Sequence, residues 1–351
     1  MCDDIKALCA AQLARYPKSQ AVDLLKTLYQ GEFGPGHLIQ DPVSNRQYLE
    51  KEYRQMNRDK ADDFLEDIGF GFCRLHLHAI GENGLSLDTF QKIFQLSAAK
   101  LYGSVAGFEE KVRALKKQAL PFDAAEIDNF IEVWAESGRP PFRHSEIFRE
   151  TYNPAYRVVK NEFCRILPLL TKIDNKLAQI EAAQVIVAID GDAAAGKSAF
   201  ADLLKQIYQC NVLPMDHFFL PPAKRTPQRL AEPGGNVDYE RFKQEVQTPL
   251  LAGKPFTYRP FDCGIWDFGG EIAVYPGRLT IIEGAYALHH TLTDVYDIKV
   301  FMKIGPEEQM RRILARNSPE MAEKFREIWI PMEKKYQQQL QLDEEVLNIN
   351  S

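Results

Sequence analysis

The chain has 351 residues, long for a single hydrophobic core, so two domains are the first expectation. An apolar content of 45 % and a charged content of 26 % are those of an ordinary globular protein, and no apolar run reaches the ~20 residues of a membrane span. A net charge of −6 argues against nucleic acid or an anionic membrane as the main partner.

The six cysteines, at 2, 9, 73, 164, 210 and 263, form no Cys-x-x-Cys pair and suit reduced thiols. The opening Met1-Cys-Asp-Asp-Ile-Lys6 lacks the basic and apolar regions of a signal peptide, so a cytoplasmic location is expected. Homo-oligomerisation stays open.

Residues 1 to about 60 read as helices, with Ile5, Leu8, Leu13 and then Ala21, Leu24, Leu25 and Leu28 at helical spacing. Gly31-Glu-Phe-Gly-Pro-Gly-His37 interrupts them as a loop, either a connector or a backbone surface for a ligand. Cys73-Arg-Leu-His-Leu-His-Ala79 alternates polar and apolar residues and predicts a strand. Arg74, His76 and His78 would share one face, the two imidazoles ~7 Å apart. Such a face is either solvated or a pair of metal ligands completed by His37 or His144.

The pattern is helical again over about 85–136 and breaks at Ser137-Gly-Arg-Pro-Pro141. Ser145 caps a short helix from Glu146, which Tyr152-Asn-Pro154 stops. Residues 161–182 predict one long amphipathic helix, carried by Phe163, Ile166, Leu167, Leu170, Ile173, Leu177 and Ile180. The domain boundary is placed near 180, giving 1–180 as a mostly helical domain and 181–351 as a second one.

The second half alternates strands and helices, the pattern of a parallel sheet covered on both faces. Strands are predicted at 185–190, 211–214, 279–283 and 297–303, with a weaker fifth at 346–349. After the apolar run Val185–Ile189 come Gly191, Asp192, Ala193, Ala194, Ala195, Gly196, Lys197 and Ser198, which fit the P-loop pattern. Its glycines let successive N–H groups turn toward a phosphate, Lys197 supplies a point charge, and Ser198 offers a hydroxyl to Mg²⁺. The helical pattern Phe200–Ile207 aims its positive end at the same anion. These residues predict a nucleoside triphosphate site in an α/β, P-loop NTPase-type sheet.

Ligands sit at the carboxyl ends of such strands. Asp216 follows the strand at 211–214 and could accept a proton from an attacking hydroxyl. Arg278-Leu-Thr-Ile-Ile-Glu283 is an apolar strand ending in an acid, a Walker B form, and Glu283 would hold Mg²⁺. Arg312 and Arg316 lie four apart on one helical face, where they close over phosphates or simply form an exposed basic surface. Thr171-Lys-Ile-Asp174 and Asp267-Phe-Gly-Gly270 imitate GTPase motifs but lack the strands that would present them. A nucleotide-dependent sensor without transfer activity is a further alternative.

The order P-loop, Asp216-His-Phe-Phe219, Asn236-Val-Asp238, Phe261-Asp262, Ile282-Glu-Gly284 and Arg311-Arg-x-x-x-Arg316 resembles the uridine kinase family. That family shares its fold with phosphoribulokinase and pantothenate kinase. The likeness covers about 183–351 and implies ATP- and Mg²⁺-dependent phosphorylation of a small-molecule hydroxyl, foremost a nucleoside, with sugar, glycerate or pantothenate as alternatives. It implies Asp216 as base, Ser198 and Glu283 as magnesium positions, Lys197 on the phosphates, Arg312 and Arg316 as lid, and Asp238 on acceptor hydroxyls. The family's P-loop carries serines at the places of Ala193 and Ala195. The family also reads the base with a tyrosine and a histidine five residues apart. Those places hold Phe261 and Trp266, with Tyr258 as a register-shifted substitute.

Overall fold

The computed structural model describes residues 2–36, 42–56, 64–100, 102–179, 184–340 and 346–350. It divides into two compact units, Met1–Thr171 and Lys172–Ser351. The division falls inside the helix Leu167–Gln179, ahead of the boundary placed near 180.

In the first unit the helices Cys2–Arg15, Ala21–Phe33, Val105–Leu115 and Ala124–Glu136 enclose Ile5, Leu24, Leu25, Leu28, Phe108, Leu115 and Trp134. Side-chain caps start four of its described helices: Ser86 accepts from the Thr89 N–H, Ser104 from Gly107, Asp123 from Ala125, and Ser145 from Phe148. A three-stranded antiparallel sheet, Leu65–Asp67, Phe72–His76 and Tyr156–Lys160, completes this mostly helical unit.

Two elements there differ from expectation. The strand predicted over 73–79 ends at His76, opposite Tyr156, and Leu77–Ala79 turns as a 3-10 segment. Arg74 and His76 keep one face, and His78 leaves it. The helix predicted over 161–182 is two, Asn161–Arg165 and Leu167–Gln179. Pro168 has no N–H to give to the residue 164 carbonyl and its ring would strike that oxygen, so the chain breaks at Ile166. Cys73 and Cys164, 91 residues apart, are joined as a disulfide, against the expectation of reduced thiols throughout. Cys9, Cys210 and Cys263 are free.

The second unit is built on a five-stranded sheet in the order Val346–Asn350, Ile298–Lys303, Val185–Gly191, Leu279–Glu283, Asn211–Pro214, with every pair parallel. Each predicted strand is present. Val185–Gly191 is buried throughout its length, as a central strand covered on both faces must be. The helix Lys197–Tyr208 packs on the sheet. Ile186, Ala188 and Ile282 turn instead toward Phe218, Phe242, Val246 and Leu250. Residues 256–274 form two short antiparallel pairs that no periodicity announced, Phe256–Tyr258 with Ile272–Val274 and Phe261–Asp262 with Asp267–Phe268. From the central strand the chain passes to Asn211–Pro214 on one side and later to Ile298–Lys303 on the other. This places a topological switch point at Gly191.

Among the described residues no helix is long and apolar enough to cross a membrane.

Candidate active site

The chain leaves the central strand at Gly191, turns through Asp192–Gly196 and enters the helix Lys197–Tyr208. Gly191 has φ +143°, and a Cβ on it would lie 2.1 Å from the Met302 carbonyl oxygen of the neighbouring strand. Gly196 has φ +90° and an added Cβ would meet nothing within 4 Å, so its requirement is conformational alone. Ala194 also takes a positive φ, +61°. Lys197 Nζ donates to the carbonyls of Gly191 at 2.8 Å and Asp192 at 3.0 Å, which holds the ammonium over the loop. Asp192 braces the turn from outside, its carboxylate accepting from the Ile304 N–H at 3.0 Å and from Gln337 Nε2 at 2.7 Å.

Three strand ends meet here. Glu283, 5 % exposed, closes the strand beside the loop and accepts from Ser198 Oγ at 3.3 Å. Its register partner on the next strand is Pro214, and Asp216 follows in the turn Met215–Phe218. Burial raises the Glu283 carboxyl above its ordinary range and the Asp216 charge adds to this, while the Ser198 hydrogen bond and Lys197 oppose it. Asp216 itself is exposed. Among the described residues no three His, Cys, Asp or Glu side chains converge as a metal cage. The Ser198 hydroxyl and the Glu283 carboxylate are hard oxygen donors that suit Mg²⁺, which takes its other ligands from phosphate and water.

Two later helices are fastened to the loop. In Pro306–Arg316, Arg312 donates to the Ala194 carbonyl at 3.2 Å and to Glu308 at 2.7 Å, Gln309 donates to the Ala193 carbonyl at 3.1 Å, and Ile313 packs on Ala194. Arg316 is exposed, 6.0 Å from the centre of the Phe325 ring. In Ile330–Gln339, Glu333 accepts from the Ala193 N–H at 3.0 Å. Burial pushes its carboxyl up to about 7, against the pull of Lys197 and that amide. The same helix sends the Tyr336 hydroxyl to Asp190 at 2.6 Å. Asp190 is buried and also accepts from the N–H groups of Gly191, Tyr286 and Leu288 at 2.7, 3.1 and 2.9 Å.

Sequence reasoning missed Asp190, Gln309, Glu333 and Gln337. Only Asp190 had a signal, an acid closing an otherwise apolar strand.

Of the residues expected to meet an acceptor, Asp238 is fully buried, with one oxygen capping the Arg241 N–H at 3.2 Å and the other paired to Lys224 at 2.8 Å. Tyr258 is buried and bonds His217 Nδ1 at 2.9 Å; burial pushes its hydroxyl up to about 12. Phe261 is buried against Phe268, whereas Trp266 is 53 % exposed with the Arg225 guanidinium 4.6 Å from its ring centre.

Two of the first unit's histidines, His76 and His144, are held by hydrogen bonds. His144 bonds Asp23 at 2.8 Å and the Tyr156 hydroxyl at 2.6 Å, and burial pushes it down to about 4. His76 lies 3.4 Å from Glu66, which pairs with the fully buried Arg74 at 2.6 Å. His37 lies outside the described residues, and among those described no metal set forms.

The parallel sheet, the glycine-bounded loop and the helix after it define a P-loop fold. No family model matches the chain, and no curated protein matches it. Solved structures similar to it include a protein from Bacillus stearothermophilus provisionally described as a uridine kinase. It is 18 % identical, with a TM-score of 0.38, covering 51 % of this chain and 98 % of its own. Another is provisionally described as a fructose transport system kinase from Silicibacter sp. TM1040, at 20 %, 0.42, 50 % and 96 % respectively. A third, from Saccharomyces cerevisiae, is provisionally described as a P-loop containing kinase with a circular permutation, at 14 %, 0.37, 48 % and 93 %. Each covers about half of this chain.

Proposed function

We propose that the chain is an ATP-dependent kinase that phosphorylates a hydroxyl of a small molecule. The observation carrying this reading is the meeting of Lys197, Ser198, Glu283 and Asp216 at three adjacent strand ends. The loop amides and Lys197 bind the β- and γ-phosphates of ATP, and Arg312, anchored on the loop, adds positive charge beside them. Ser198 and Glu283 would hold Mg²⁺, which would supply charge neutralisation to the phosphates. Asp216 is exposed and stands beside the metal position, where its carboxylate orients the acceptor hydroxyl and takes its proton.

The acceptor expected from the resemblance is a nucleoside, with sugar, glycerate or pantothenate as alternatives. Tyr258 and Phe261 are buried, and the Tyr258 hydroxyl is spent on His217, so neither is free to read a base. ADP release from the full chain, measured with nucleosides, sugars and hydroxy acids in turn, tests the reading. At least one acceptor is expected to raise the rate well above the acceptor-free background. A rate that no hydroxyl compound stimulates would leave a nucleotide-binding protein without transfer activity.

A further inference from the structure

The cations around the acceptor side differ in how their charge is met. Lys224 is paired with Asp238 at 2.8 Å, Arg229 with Glu240 at 3.3 Å and Arg241 with Glu245 at 3.2 Å. Arg259 spends its donors on the carbonyls of Phe268 and Gly269. Arg225 has no carboxylate partner among the described residues. Its Nε donates to the Leu220 carbonyl at 2.7 Å, and its guanidinium rests 4.6 Å from the centre of the Trp266 ring. One hydrogen bond and one ring therefore fix the fork, and its positive charge is left unneutralised.

Its position relates it to the chemistry. The hairpin strand Phe261–Asp262 packs against the turn Met215–Phe218 that carries Asp216. Trp266, at the end of that hairpin and beneath the Arg225 guanidinium, has its ring centre 6.4 Å from that of Phe261. The proposed base and the unneutralised arginine thus both adjoin one hairpin.

We propose that Arg225 binds an anionic group, carboxylate or phosphate, on the acceptor, so that the enzyme favours hydroxy acids or phosphorylated sugars over neutral nucleosides. The inference rests on the kinase reading for the presence of an acceptor hydroxyl at Asp216. A guanidinium fork matches two oxygens of either anion, and a fork already held by Trp266 loses little freedom on binding. Because one hairpin both packs on the turn carrying Asp216 and presents Trp266 to Arg225, the anion and the reacting hydroxyl belong to the same small molecule.

The test is calorimetric titration of the full chain in the presence of Mg²⁺ and a non-hydrolysable ATP analogue. The probes are D-glycerate against glycerol, ribose 5-phosphate against ribose, and uridine. At least one anion is expected to bind about 10- to 100-fold more tightly than its neutral partner, the share of a charge-assisted hydrogen-bonded pair. The glycerate and ribose 5-phosphate arms separate carboxylate from phosphate. R225Q should erase the preference and R225K, which keeps charge without the fork, should retain part of it. Neutral probes binding as well as anions, no anion binding at all, or a preference that survives R225Q would each overturn the inference. ADP release with the same probes separates the two readings. Arg225-dependent anion binding without turnover keeps the anion site and defeats the kinase reading. Turnover of neutral acceptors indifferent to R225Q does the reverse.

Discussion

Lys197 spends its hydrogen bonds on two carbonyls of its own loop and packs in no apolar cluster among the described residues, so its removal should spare the packing while removing charge from the phosphates. Lys197→Ala is expected to abolish transfer with an unchanged melting profile, read by turnover and calorimetry together. Asp216→Asn should keep ATP binding and lose roughly 10²-fold or more in turnover, the usual share of a general base. A wild-type rate would remove Asp216 from that role. Glu333 makes a different prediction. With its carboxyl raised from 4.5 to about 7, the folded unit keeps a proton that the unfolded chain releases in between. Stability therefore falls as pH rises across that window, by ~3 kcal/mol at ~1.4 kcal/mol per unit, and stays low above it. Glu333→Gln should remove the fall. Denaturant titration at pH 5 and pH 8 would expose the error if the variant kept the wild-type difference.

The loop and the strand beside it respond unequally to the same small change. Gly191→Ala sets a methyl 2.1 Å from Met302 O and must displace the strand Ile298–Lys303, whereas Gly196→Ala meets only the strain of a positive φ, ~1 kcal/mol. The first is expected to lower both stability and nucleotide affinity far more than the second, and equal effects in a melt would contradict it. The same contrast explains what could be read beforehand. All five strands of the sheet were legible because β-branched runs such as Val185–Ile189 have few other folds open to them. That Lys197, Ser198, Asp216 and Glu283 fall at neighbouring strand ends was legible from their position along those strands. Glu333 and Gln309 were not, because they sit on helices whose spacing advertises only packing. The two ribbon pairs within 256–274 escaped because runs of two or three residues carry no period. The break at Ile166 was visible in Pro168 and was overridden by an apolar pattern that continued through it.

At the scale of the whole chain, the five strands and the core around Phe218 and Phe242 lie within 181–351. That fragment is expected to fold alone and bind ATP with Mg²⁺; solubility only when 1–180 is supplied would show that the halves are interdependent. A fragment starting at Leu167 should melt higher, because Arg278 donates to the Leu177 carbonyl at 2.5 Å. The first unit should show the opposite pH response to Glu333. His144, held near 4 by burial, refuses a proton that the unfolded imidazole accepts below its ordinary 6.5. Its contribution is complete above that value and is lost as pH falls toward 4. Between pH 4.5 and 6.5 acidification should weaken the first unit and strengthen the second. Scanning calorimetry on the full chain would register this as two transitions moving in opposite directions, and a common shift would contradict it.

The grip of Asp190 on the N–H groups of Tyr286 and Leu288 has a consequence for isotope labelling. Both amides lie outside the strands and helices, where hydrogens ordinarily trade with solvent quickly. Here they point at a buried carboxylate of the central strand itself, so deuterium should reach them about as slowly as it reaches the ladder amides of Val187 and Ile281. In Asp190→Ala those two positions should fill early while the ladder stays protected. Peptide-resolved exchange followed by mass spectrometry would report it, and fast uptake at Tyr286 and Leu288 in the wild-type chain would mean that the carboxylate does not hold them.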